Sequence, residues 1–134
     1  NFAHFSFLFY VLISVNIVKS LYHTPLQRLE VSDAKGKCFV DLDNIDWVVK
    51  ENGIYELKSS DKLYRTDYSI NFFEKILNTA QYIKINRAAI VKINLISGYN
   101  YWEHDKYLLR VGTQNEKEFV VSRQRMKSIK AVLN

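Results

Sequence analysis

From Lys37 to Ser122 the chain consists of apolar and aromatic runs only four to six residues long, most of them closed by turn-forming residues. Runs that short cannot make ordinary helices, but they match strands bounded by turns. The pattern predicts strands at 38–42, 45–50, 54–59, 63–66, 82–85, 89–93, 99–103, 107–111 and 118–121. Asp43-Asn44, Asn52-Gly53 and Ser60-Asp61 separate the early ones. Asn-Gly is the strongest of these hairpin signals, because a type I′ turn needs positive φ at both central residues. One internal helix is expected at 69–78, with Ser69 as N-cap or Asn71 and Glu74 as a capping box, and Ile70, Phe73 and Leu77 on one face. A second helix should follow Ser122, with Met126, Ile129 and Leu133 as its apolar stripe. The fold class is therefore mostly β, with one short internal helix and a C-terminal helix. Two helices separated by about 40 residues of strand pattern do not make a helix-turn-helix.

The start of the chain is a different object. Between Phe2 and Val18 lie thirteen apolar residues and the polar residues His4, Ser6, Ser14 and Asn16, and the first charge is Lys19. A bilayer core of ~30 Å needs about 20 mostly apolar residues, which the stretch from Phe2 to Tyr22 supplies. Residues 1–25 are therefore expected to form an appended transmembrane helix, with packing on the domain as the alternative. A signal peptide would show a Met start, a basic n-region and a small-residue cleavage site, all absent here. The Asn1 start suggests a piece of a longer protein. Lys19, His23 and Arg28 just beyond the apolar stretch place the remainder on the inner, cytoplasmic side of a bacterial membrane. Thr24-Pro25 ends the segment, residues 26–36 read as a polar linker, and the domain is expected over 37–134.

Charge is divided along the chain. The total is +5. Residues 26–78 hold eight basic and ten acidic side chains, and residues 79–134 hold ten basic and four acidic, a net of +6. A basic half attracts polyanions over a Debye length of about 8–10 Å. A lone Cys38 excludes an internal disulfide and any zinc site built on several thiolates, and it reads as a small buried hydrophobe. No phosphate-binding glycine loop and no Ser-His-Asp arrangement is present. No cofactor, metal or small-molecule substrate is expected.

Two stretches carry candidate chemistry. In the stretch from Tyr82 to Val91, Ile83, Ile85, Ile90 and Val91 can pack while Lys84, Asn86 and Arg87 project from a strand-to-loop junction. Asn pairs with adenine N6/N7 and Arg with guanine O6/N7, so the pair suits a major groove; an ordinary polar turn is the plain alternative. In Ser122-Arg123-Gln124-Arg125-Met126-Lys127, cations crowd a helix N-terminus, where they oppose the macrodipole. A phosphate there would gain from both the dipole and the arginines, whereas a solvated helix face is the plain alternative. Arg123, Lys127 and Lys130 fall in line at i, i+4, i+7. Glu103-His104-Asp105 places carboxylates beside an imidazole, but neighbours on a strand face opposite ways and cannot converge without a special turn. No catalytic role is expected of them.

On three elements in order, the chain resembles the LytTR family of bacterial DNA-binding domains. They are the stretch from Ile45 to Tyr55 containing Asn52-Gly53, the stretch from Tyr82 to Lys92, and Val121-Ser122-Arg123 through Ile129. The resemblance implies about ten short strands in stacked sheets and loops that enter successive major grooves. It also implies binding to double-stranded DNA as a pair of copies on direct repeats. Arg87 and Arg123 then match family contacts from two loops, with the Asn52-Gly53 turn as a third. Asn86 stands where His is usual, Ala88 where Ser is usual and Lys92 where Asn is usual, which implies an altered base preference. Family members that carry membrane segments suit the apolar start. The reading is a DNA-binding transcription regulator, tethered to the membrane and not an enzyme. Arg87, Asn86 and Arg123 would meet bases, and Lys84, Arg125, Lys127 and Lys130 would hold phosphates. The competing reading is a β-rich protein-interaction module at a membrane face that does not bind DNA.

Overall fold

Among the described residues, three of the two-residue hairpin turns have left-handed φ at both centres. Asn52 and Gly53 have φ of 53° and 77°, Ser60 and Asp61 of 50° and 64°, and His104 and Asp105 of 48° and 59°. Positive φ at both centres gives a type I′ turn, whose twist matches that of paired strands. A computed structural model describes residues 27–134. The expected membrane segment lies outside these residues; among them no helix is long and apolar enough to cross a membrane.

The described residues form ten strands: β1 Arg28–Asp33, β2 Gly36–Asp41, β3 Ile45–Glu51, β4 Ile54–Ser59, β5 Lys62–Thr66, β6 Tyr82–Asn86, β7 Ala89–Lys92, β8 Ile96–Glu103, β9 Lys106–Val111 and β10 Lys117–Ser122. Helix α1 spans Ile70–Ile76 and α2 spans Arg123–Leu133. The strands form a seven-stranded sheet, ordered β2-β1-β5-β4-β3-β7-β6, and a three-stranded sheet, β10-β9-β8. Every pairing is antiparallel. The architecture is mostly β, as expected.

The linker reading fails over 28–36, which form β1 and its turn. Leu29 and Val31 are buried there and pair with Val40 and Cys38. Asp33 accepts the N–H groups of Lys35 at 2.8 Å and Gly36 at 3.2 Å, closing the turn with its own side chain. Alternation of Leu29 and Val31 with charged neighbours reads as loop polarity unless its period of two is noticed. Leu42 and Ile93, expected to end strands, belong instead to short 3-10 turns. Cys38 is half-buried, its Sγ 3.7 Å from Asp33 Oδ2.

Two cores share the centre of the large sheet. Ile45, Val48, Leu57, Ile90 and Tyr82 face α1, where Phe73 is fully buried. Trp47, Val49, Ala89, Val91 and Ile85 face the small sheet and α2, against Leu109, Phe119, Val121, Met126 and Ile129. Strands β3 and β7 are thus covered on both faces, which accounts for the unbroken runs Trp47-Val48-Val49 and Ala89-Ile90-Val91. Tyr82 is tied in by its hydroxyl, which lies 2.8 Å from the carbonyls of both Leu42 and Ile45. Its burial, with the Asp43 and Asp46 carboxylates adding to it, pushes the phenol pKa far up.

Candidate nucleic-acid interface

The order β3-β7-β6 decides where the candidate residues meet. Because β3 and β7 run antiparallel, the Asn52-Gly53 turn and the β6–β7 turn lie at the same end of the sheet, and Lys50 N–H donates to the Ala88 carbonyl at 2.8 Å. Strand β10 then crosses that end. Lys117 Nζ lies 3.0 Å from Glu51 Oε1 and over the rings of Trp47 and Phe119 at 5.2 and 5.6 Å. Three residues on, the Val120 carbonyl accepts Asn86 Nδ2–H at 2.9 Å. Ser122 and Arg123 follow at the start of α2. At about 3.4 Å per residue, β10 spaces its two ends by about 17 Å. Strand β10 is therefore bonded beside the Asn52-Gly53 turn, bonded to the β6–β7 turn and continuous with the start of α2.

Arg87 forms the tip of the β6–β7 turn with Ala88, since Asn86 pairs with Ala89, and it is exposed. A register shift between Lys84 and Asn86 lets Ile85 drop fully into the second core while the tip swings toward β10. Arg123 is exposed as well. Its Nη2 lies 2.9 Å from Asp105 Oδ1, with the two side chains 54% and 75% exposed, and its N–H donates to the Asp105 carbonyl at 3.0 Å. The structure brings the two arginines to neighbouring turns and leaves both open to solvent.

Other expected contacts are placed differently. Asn86 turns inward: its Oδ1 accepts the Ala88 N–H at 2.7 Å and its Nδ2 is held by Val120. One of its two N–H donors and one Oδ1 lone pair are thereby engaged in shaping the tip. Lys84 is only 24% exposed and pairs with Glu74 at 3.8 Å. Successive helical residues turn by about 100°, so Arg123, Lys127 and Lys130 share one flank of α2 while Arg125 lies on the far one. Arg125 accordingly lines a groove with Lys84, Ile83 and Val132. Lys130 Nζ sits 5.4 Å over the Tyr99 ring, and Lys127 is exposed. Ser122 caps the helix, accepting Arg125 N–H at 3.1 Å.

The family model for the LytTr DNA-binding domain matches residues 35–134. The chain belongs to the LytTR family. It is 33% identical over 88 residues to sensory transduction protein LytR of Staphylococcus haemolyticus strain JCSC1435, covering 66% of this chain and 34% of that protein. The Staphylococcus epidermidis LytR is 34% identical over 82 residues, covering 61% and 32%. The chain thus spans about a third of the length of these relatives. A solved LytTr DNA-binding domain from Bacillus cereus matches with a TM-score of 0.68 at 18% identity, over 81% of this chain and 97% of that one, which shows the LytTR fold.

Two departures from the family pattern have structural accounts. Ala88 engages the turn only through its backbone, with its N–H on Asn86 and its carbonyl on Lys50, so the tip closes without a Ser hydroxyl. Lys92 lies at the opposite end of β7, where its ammonium donates to the Asp43 carbonyl. Sequence reasoning missed Lys117, whose signal was its place at the head of a strand, and it missed Asp105. The special turn that the Glu103-His104-Asp105 stretch required does exist, but it leaves His104 87% exposed and delivers Asp105 to Arg123.

Proposed function

We propose that the chain is a sequence-specific DNA-binding transcription regulator that reads bases from turn tips. Arg87 and Arg123 supply base-edge contacts, and Lys127 and Lys130 supply phosphate contacts on the Arg123 flank of α2. The Asn52-Gly53 turn is a third contact at the far end of β10. One observation carries the reading: Asn86 is bonded to the Val120 carbonyl at 2.9 Å, which joins the Arg87 tip to the strand leading into Arg123. Solvent-open guanidiniums on adjoining tips, in a half of the chain with a net charge of +6, suit a duplex better than a small ligand.

The further expectations belong to the same reading. Two copies would bind direct repeats, and the apolar stretch from Phe2 to Tyr22 would tether the domain to the inner face of a bacterial membrane. The test is electrophoretic mobility on a pool of random duplexes, wild type against Arg123→Ala. Enrichment of a sequence by the wild type, reduced in the variant, supports DNA reading; no enrichment at low salt refutes it. Extraction that leaves the full chain wholly soluble without detergent would refute the tether alone.

A further inference from the structure

We infer that Asp105 is a positioning residue that holds the Arg123 guanidinium for base recognition and so sets how sharply one base position is discriminated. This rests on the DNA-reading role of Arg123 proposed above. Asp105 meets Arg123 twice, through its carbonyl on the backbone N–H at 3.0 Å and through Oδ1 on Nη2 at 2.9 Å. The first contact satisfies an N–H that a helix start otherwise leaves without a partner. The second fixes the far end of a long side chain, so both ends of Arg123 are held by one residue.

Strand register sets the turn beside α2. Ser122 pairs with Lys106, and Lys106 with Glu103, so the ends of β10, β9 and β8 are in register beneath it. Left-handed φ at both His104 and Asp105 aims the carboxylate at residue 123. A guanidinium has five N–H donors in a fixed fork, and Asp105 occupies Nη2 while the side chain stays 54% exposed. Among the described residues no other acceptor engages its remaining donors, which suit guanine O6 and N7.

Stability does not explain the pair, since ion pairs this exposed contribute little to folding. Discrimination does: a prealigned arginine has less freedom to lose on meeting the correct base. Repulsion between the carboxylate and phosphates acts on every sequence alike and adds no discrimination. Removing the carboxylate should therefore lower affinity for the correct base relative to every other sequence, which no purely structural role does.

The experiment measures binding of the full chain to the selected duplex, to single-base replacements of it and to an unrelated duplex. The variants are Asp105→Asn and Asp105→Gly, both of which tolerate the left-handed backbone. Each is made alone and in the Arg123→Ala background. We expect discrimination at one base position to fall about tenfold, within the range for a bidentate arginine contact. Binding to the unrelated duplex should hold or tighten, and the Arg123→Ala background should show no added loss. Undiminished discrimination in both variants, tighter binding to the selected duplex, or an equal loss at all positions would overturn the inference while leaving the DNA-reading role standing. A wild type with no sequence preference would overturn both.

Discussion

Tyr82 and Asp46 separate what holds the first core from what faces solvent. Replacing Tyr82 with Phe removes the hydroxyl shared by the Leu42 and Ile45 carbonyls and leaves the ring in place. We expect a loss of about 1–2 kcal/mol in denaturant unfolding with unchanged DNA binding. At Asp46, burial raises the carboxyl pKa, opposed by Lys58 and Lys92. The folded chain thus holds that proton more tightly than the unfolded one. The corresponding stability is complete below the ordinary carboxylate range and is lost as pH rises through the folded pKa. Asp46→Asn should therefore raise the melting temperature at pH 7 and have a smaller effect at pH 3; a lowered value at pH 7 would contradict this. Asn86 shows a limit of residue-level reading. The chemistry that makes an amide fit adenine also lets it tie a turn, and only the position of Val120 decides between them.

At the level of elements, β1 is the informative case. Nine strands and both helices follow from short β-branched runs, type I′ turn pairs and Ser caps, all signals carried by adjacent residues. Strand β1 does not, because its two apolar residues alternate with Arg28, Glu30 and Ser32 on the outer face. Its membership depends on pairing with β2 and β5, and β5 is distant in sequence. A chain trimmed to begin at Lys37 loses the burial of Leu29 and Val31, each worth about 1.5–3 kcal/mol, and exposes a new sheet edge. We expect it to melt well below a chain beginning at Gln27, or to remain unfolded; equal melting temperatures would show β1 to be dispensable. Ser122→Ala should weaken α2 by about 1 kcal/mol through loss of the cap on Arg125 N–H.

For the whole molecule, the arrangement of β10 across the large sheet makes separate turns into one surface. Local sequence reveals the arginines but not which side each faces, because that depends on strand order and on the crossing of two sheets. Hence Arg87 and Arg123 are legible as candidates in the sequence, whereas the pairing of Lys84 with Glu74, the flank of α2 that carries Arg125 and the contact of Asp105 with Arg123 are not. Phosphate contacts should appear in the salt dependence: Lys127→Ala is expected to lower the slope of log affinity against log salt by about one and to weaken all sequences alike. A slope identical to wild type would remove Lys127 from the interface.

The most direct measurement is the affinity of wild type, Arg87→Ala and Arg123→Ala for the selected duplex and for a full set of its single-base replacements. Two tips joined through Asn86 and Val120 should read different bases of one site. Each variant is expected to lose about 1–3 kcal/mol of discrimination at its own base positions, keep it at the other's, and melt like wild type. Wild-type discrimination in both folded variants would contradict the account.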